Sequence, residues 1–265
     1  MTHLTIKGLW KEYDGQVVLE NVNLDIGDHE FVTVIGASGC GKTTFLRILL
    51  GVESPTRGRV LLDGLPLPTE PGPERGIVFQ RYSLFPHLSV RDNLLLGLEL
   101  RGAKRLGRLF GKRRRDALDK ADRLLDAVGL YAARDRYPQQ LSGGMQQRLS
   151  IAQSVICEPQ VLLLDEPFGA LDPGLTADMH ELIVNLWNMN RMTIVMVTHD
   201  VKESFHLGTR LLVFDKPRID AQVPDRYGAT ITFNIPLKGR REPPAGLGAA
   251  GAPRDTGGRE TEVRS

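Results

Sequence analysis

Gly36-Ala37-Ser38-Gly39-Cys40-Gly41-Lys42-Thr43 fits the pattern G-x-x-x-x-G-K-[ST], and its surroundings are the ones that pattern requires. The apolar, β-rich run Phe31-Val32-Thr33-Val34-Ile35 precedes it, and Thr44-Phe45-Leu46-Arg47-Ile48-Leu49-Leu50 follows with helical spacing. A strand, a glycine-rich turn and a helix are therefore predicted. Such glycines admit backbone conformations closed to other residues, so successive N–H groups can converge on anionic oxygens where a helix dipole also favours negative charge. Lys42 is placed to reach the β- and γ-phosphates of a nucleotide, and the Thr43 hydroxyl to ligate Mg²⁺. A merely flexible glycine turn is the alternative, and the flanking strand and helix weigh against it.

Two further strings depend on the first. Val161-Leu162-Leu163-Leu164 runs into Asp165-Glu166, as a buried parallel strand does where it ends at the ligand-binding edge of a sheet. Asp165 is expected to hold Mg²⁺ through its hydration shell. Glu166, pointing the other way in an extended chain, is expected to polarise the water that attacks the γ-phosphate. An acidic strand end before a Pro167 turn is the plainer reading. Ser142-Gly143-Gly144 stands before the helical run Met145 to Cys157, so Ser142 is a natural N-cap and the glycines expose N–H groups at a positive helix end. One nucleotide fills the first anion site, so this second one is expected to meet the γ-phosphate held by another copy of the chain. Taken alone, the same residues are ordinary cap chemistry.

With these strings in this order, the chain resembles the nucleotide-binding subunits of ABC transporters across about residues 3–215. The resemblance implies an α/β fold: a P-loop NTPase core with an inserted α-helical lobe and an N-terminal antiparallel β subdomain. It also implies roles for single residues. Tyr13, between two predicted strands, would stack on adenine. Gln80 would sense Mg²⁺ and the lytic water, and His199, after the strand Thr193 to Val197, would bind the γ-phosphate and orient that water. Asp172, in Ala170-Leu171-Asp172, would lie along a dimer seam. The nucleotide set is then Tyr13, Gly36, Ala37, Ser38, Gly39, Cys40, Gly41, Lys42, Thr43, Thr44, Ser142, Gly143, Gly144 and Asp172. Glu166, His199 and Gln80 carry the chemistry, and Thr43, Gln80 and Asp165 hold the metal.

Implied with this are ATP and Mg²⁺, a second copy of the chain, an integral membrane permease and an extracytoplasmic solute-binding protein, with the chain peripheral on the cytoplasmic face of the membrane. Glu74 to Gln80, Ser83-Leu84-Phe85-Pro86 and Glu166 to Asp172 resemble the importer branch that serves nitrate, sulfonate and taurine uptake. Departures stand beside them. Gln153-Ser154 replaces the usual Arg-Ala, the 101–115 insert is long, and Phe205 to Leu237 does not follow the common ending, so a urea- or guanidine-related solute stays open. A soluble ABC ATPase acting on DNA or ribosomes is the alternative function, disfavoured because neither heptads nor a second phosphate loop appears. A non-hydrolysing switch is a third reading, disfavoured by the presence of both Glu166 and His199.

Composition fits the class. The 265 residues are 41% hydrophobic and 25% charged, enough for a substantial core, and a net charge of +2 argues against nucleic-acid binding by the whole surface. Cys40 and Cys157 form no disulfide framework, and no apolar stretch approaches the roughly 18 to 20 residues that cross a bilayer. Residues 1–236 read as one ATPase domain with the helical lobe at about 88–157, and 237–265, rich in Gly, Pro, Ala and Arg, as a disordered tail. Arg101 to Arg115 carries eight Lys or Arg and no acid, which suits anionic lipid headgroups or a solvated loop.

Overall fold

The computed structural model describes residues 2–79, 83–102, 108–169, 171–218, 220, 222 and 226–237. Two sheets and a set of helices make up the fold. Strands β1 (Leu4–Tyr13), β2 (Gln16–Ile26), β4 (Arg57–Leu62) and β5 (Leu65–Pro66) pair antiparallel in the order β2-β1-β4-β5. The second sheet has the order β10-β9-β3-β8-β7-β6, from β3 (Phe31–Gly36), β6 (Arg75–Val78), β7 (Val161–Asp165), β8 (Thr193–Val197), β9 (Arg210–Asp215) and β10 (Thr230–Pro236). Its pairs are parallel except β10 with β9. Parallel neighbours need long crossovers, and here helices supply them.

Alternation along the central strands divides the apolar interior in two. Val161, Leu163, Val195 and Val197 face a core that holds α1 (Lys42–Leu50) and the antiparallel sheet. Leu162, Leu164, Ile194 and Met196 face the opposite core. That second core takes in side chains of α2 (Val90–Gly102), α3 (Gly111–Ala127), α4 (Gly143–Val155) and α5 (Pro173–Asn190). A strand covered on both faces reads as an unbroken apolar run, which is why these strands were visible in the sequence.

Between β6 and β7 lie α2, α3 and α4, packed against one another. Asn93 fastens the start of this group to the preceding loop. Its buried amide donates to the carbonyls of Phe85, Leu88 and Ser89 at 3.1, 3.1 and 2.9 Å, and its Oδ1 accepts from Phe85 N–H at 2.9 Å. Ser154 Oγ, at one of the departures from the usual sequence, donates to Ile77 O at 2.6 Å and so ties α4 to β6. Residues 103–107 of the basic insert and 238–265 of the expected tail lie outside the described residues; within the insert, Arg114 pairs with Glu99 at 3.4 Å. Among the described residues no helix is long and apolar enough to cross a membrane.

The chain end was the least legible part. After β9, the segment returns as β10, and Ala229 bridges to Leu19 with Glu20 N–H donating to Ala229 O at 2.8 Å, which joins the two sheets. Phe214 of β9 packs on Phe45 of α1 with ring centroids 5.2 Å apart, and both side chains are fully buried. Phe214→Ala should cost about 3 to 5 kcal/mol, as large-to-small changes in tight cores do. Equilibrium urea unfolding reads this directly, and a loss below about 1 kcal/mol would show that the packing of β9 on α1 adds little to stability.

Candidate active site

The ends of β3, β8 and β7 fall in register. Val34 pairs with Val197 and Val197 with Asp165, while Thr198 N–H donates to Val34 O at 3.1 Å and Glu166 N–H to Val197 O at 3.0 Å. The residues just past each strand are thereby delivered to one edge. A cavity of about 390 Å³ opens there, lined by Val18, Gly36, Ser38, Gly39, Gly41, Lys42, Thr43, Thr44, Glu166 and His199. A larger cavity of about 600 Å³ lies between α2 and α3, lined by four leucines, Phe110 and the charged Asp92, Glu99, Arg108 and Arg114.

The turn from Gly36 to Gly41 is shaped by what it touches. A Cβ on Gly36 would stand 2.3 Å from Phe214 O, and one on Gly41, at φ 89°, would stand 2.9 Å from the side chains of Val18 and Leu19. Only glycine fits either place. Gly41 is also the N-cap of α1, with no side-chain cap and no acid in the first turn, so the positive helix end keeps its N–H groups free for an anion. Ala37, Ser38 and Gly39 are exposed around it. Lys42 is buried, and its ammonium donates to Gly36 O at 2.7 Å and Ala37 O at 3.0 Å, which holds the cation within the loop's curve. Cys40 is buried beneath, and burial pushes its thiol up, so it is a packing residue there.

Thr43 Oγ1 donates to Asp165 Oδ1 at 3.3 Å across the gap between α1 and β7. Burial raises the Asp165 carboxyl above the usual carboxylate range; the Thr43 hydrogen bond opposes this, and the neighbouring Glu166 charge adds to it. A hydroxyl and a carboxylate oxygen this close suit adjacent positions on a small, hard cation, and a divalent charge would relieve the crowding of the two acids. Among the described residues there is no group of three or more His, Cys, Asp or Glu that could hold a metal. Mg²⁺ does not require one, since it keeps waters and takes substrate phosphate oxygens.

Glu166 corrects the expectation of an extended chain. The strand stops at Asp165, and Glu166 sits at φ 47°, a left-handed conformation costing a non-glycine residue about 1 to 3 kcal/mol. Its Oε2 lies 3.5 Å from His199 Nδ1, and a Cβ on Gly169 would come within 3.7 Å of the His199 ring. The twist turns the carboxylate toward His199 and the cavity, which strand alternation would not do.

Tyr13 stands at the turn that joins β1 to β2. It is the last residue of β1, paired with Gln16 across the Asp14-Gly15 turn, and it does not line the cavity. Its hydroxyl donates to Glu53, and Lys11 Nζ lies 4.6 Å from its ring centroid. Gln80 lies outside the described residues.

Ser142, Gly143 and Gly144 are not part of this cavity. Ser142 caps α4, its Oγ accepting from Met145 N–H at 3.3 Å, and Ser142 and Gly143 are exposed. Gly144 is buried where a Cβ would meet Leu175 at 3.4 Å. Asp172 is the exposed N-cap residue of α5. Sequence reasoning missed the link between this end of α4 and the acidic strand end: the buried Gln147 amide donates to Pro167 O at 2.6 Å. It also missed Val18 in the cavity wall. Val18 stands in no motif, and Gln147, though it follows Ser142-Gly143-Gly144 closely, meets a partner distant in sequence.

A glycine loop at a bare helix start, facing a carboxylate pair at the edge of a parallel sheet, is the arrangement of a P-loop nucleoside triphosphatase. The ABC transporter family model matches residues 19–169, and the chain belongs to that family as an ATP-hydrolysing cassette. It is 41% identical to the nitrate import ATP-binding protein NrtD of Synechocystis sp. over 238 residues, covering 88% of this chain and 84% of that protein. It is 40% identical to the aliphatic sulfonates import ATP-binding protein SsuB of Bacillus subtilis over 207 residues, 78% of this chain and 76% of that one. Among solved structures it resembles the dimeric, post-hydrolysis ATP-binding cassette MJ0796 bound to ADP and Pi. The TM-score is 0.71 and the identity 27%, over 89% of this chain and all of that one.

The raised Asp165 carboxyl has a measurable consequence. The folded chain holds this proton more tightly than the unfolded chain, so the ionised group costs stability that grows as pH rises through the carboxylate range. Asp165→Asn should raise the thermal midpoint at pH 7 in Mg²⁺-free buffer, with the gain fading below about pH 4, where the unfolded aspartate is protonated too. A lower midpoint at pH 7 would contradict the assignment.

Proposed function

We propose that the chain energises an ABC importer as a pair of identical copies, peripheral on the cytoplasmic face of the membrane and docked to a separate permease fed by an extracytoplasmic solute-binding protein. The observation that carries this is the convergence of Lys42, Thr43, Asp165, Glu166 and His199 on one cavity edge. The relatives' names support a small anion of the nitrate or sulfonate kind as the solute, and favour transport over the soluble, nucleic-acid-directed class.

In this reading, N–H groups from Gly36 to Thr44 and the Lys42 ammonium bind the ATP phosphates, and Tyr13 stands toward the adenine. Thr43 and Asp165, with Gln80, would hold Mg²⁺, which when bound would neutralise the charge that develops on the phosphates. Glu166 accepts a proton from the attacking water, and His199 aligns that water and the γ-phosphate. Ser142, Gly143 and Gly144 of the partner copy meet the same phosphate from the other side, with Asp172 at the seam. Loss of the γ-phosphate removes the charge that both copies share, so the halves part and the permease moves with them.

Glu166→Gln should lower ATP turnover by about 10²- to 10⁴-fold while leaving ATP binding intact. Steady-state hydrolysis with equilibrium binding of a fluorescent ATP analogue separates the two. Turnover near wild type would remove Glu166 from the chemistry. In the slow variant ATP should also drive the chain to a dimer by light scattering, and ADP should not. A monomer at saturating ATP would remove the paired site.

A further inference from the structure

The imidazole of His199 is 67% exposed, so its direction depends on the backbone on either side of it. That backbone is held by a side chain the site has not used. Glu203 lies in the first turn of α6 (Val201–Leu207), three residues beyond the N-cap Asp200. At that position a glutamate ordinarily reaches back to the N-cap N–H to complete a capping box. Here the Asp200 N–H donates instead to Thr198 Oγ1 at 3.0 Å, and Thr198 Oγ1 donates to Glu203 Oε2 at 2.5 Å. A hydroxyl has been inserted into the box, and the residue it carries is the one before His199.

Thr198 is almost fully buried, and its N–H is bound to Val34 of β3. Both chain neighbours of His199 are therefore fixed, Thr198 to the sheet and to Glu203, Asp200 to Thr198. The other oxygen of Glu203 lies 3.8 Å from His180 Nε2 on α5; the two side chains are only 13% and 12% exposed. His180 Nε2 has no hydrogen-bond partner among the described residues, and its ring packs edge-on against Phe168, with centroids 4.7 Å apart, and against His206 at 5.5 Å. A carboxylate this buried costs free energy unless it is hydrogen-bonded or paired, and a cap alone would leave it in solvent.

We propose that Glu203 is a positioning residue for His199, its carboxylate fixing the Thr198-His199-Asp200 turn and joining it through His180 to α5, the helix that begins beside Asp172. This rests on the role given to His199 above. Glu203 touches no reacting atom. It acts by setting where the imidazole stands, and misplacement by about 1 Å can cost on the order of a hundredfold in rate.

The test uses the full-length chain, with ATP turnover, affinity for a fluorescent ATP analogue and thermal midpoint measured for each variant. Glu203→Ala should lower kcat by about ten- to a hundredfold with nucleotide affinity unchanged. Glu203→Gln, whose amide oxygen still accepts from Thr198, should restore most of that loss. Thr198→Val should match Glu203→Ala, Thr198→Ser should stay close to wild type, and the double variant Thr198→Val/Glu203→Ala should be no slower than the worse single one. Wild-type kcat in Glu203→Ala, or equal losses in Glu203→Ala and Glu203→Gln, overturns the proposal. If Glu203→Ala does not fold, the Thr198 pair decides on the same terms. His199→Ala separates the two claims: retained turnover there defeats the role of His199 itself, whereas lost turnover there with normal Glu203→Ala defeats only the positioning.

Discussion

Register between three buried strands governs this molecule. Because β3, β8 and β7 are covered on both faces and pair in parallel, they must end together, and the segments leaving them meet at a single edge. Gly36 leaves β3 there as the glycine turn, Asp165 and Glu166 leave β7, and Thr198 and His199 leave β8. A slip of one residue in any of these pairs would turn its apolar side chains to the wrong core and would also move a functional group out of reach. Stability and site geometry are thus consequences of the same pairing.

At that edge several local preferences give way together. α4 has a serine cap, whereas α1 begins with a glycine and no acid. Asp165 is held where burial resists its charge, Lys42 is folded into its own loop, and Glu166 adopts a left-handed backbone. The buried Asp165 charge and the left-handed Glu166 disfavour the folded chain, and the bare helix start and the Lys42 ammonium fit a polyanion with a divalent cation, so a bound nucleotide would supply what the fold withholds. Local inconsistency of this kind concentrates at functional sites.

Much of this was legible because the signals are contiguous. Unbroken apolar runs marked β3, β7 and β8 nearly to the residue, and Ser142 was readable as a cap from its place before a helical period. The features that escaped are non-local or conformational. The hydrogen bond from Gln147 to Pro167, the relay from Glu203 through Thr198, and the return of β10 onto β9 join residues that no short window contains. The turn at Glu166 escaped because alternation presumes that a strand continues. The roles proposed for Ser142, Gly143, Gly144 and Asp172 depend on a surface that only a second copy can present.

The paired site proposed above requires that one copy's cap residues touch the terminal phosphate held by the other. A mixed dimer tests it: a size-tagged chain carrying Lys42→Ala, unable to hold its own nucleotide, paired with an untagged chain of normal sequence and given ATP bearing a photoreactive group on the γ-phosphate. Crosslinking followed by peptide mapping should place the label on residues 142–144 of the tagged chain. Label confined to the untagged chain, in dimers shown to have formed, would contradict it.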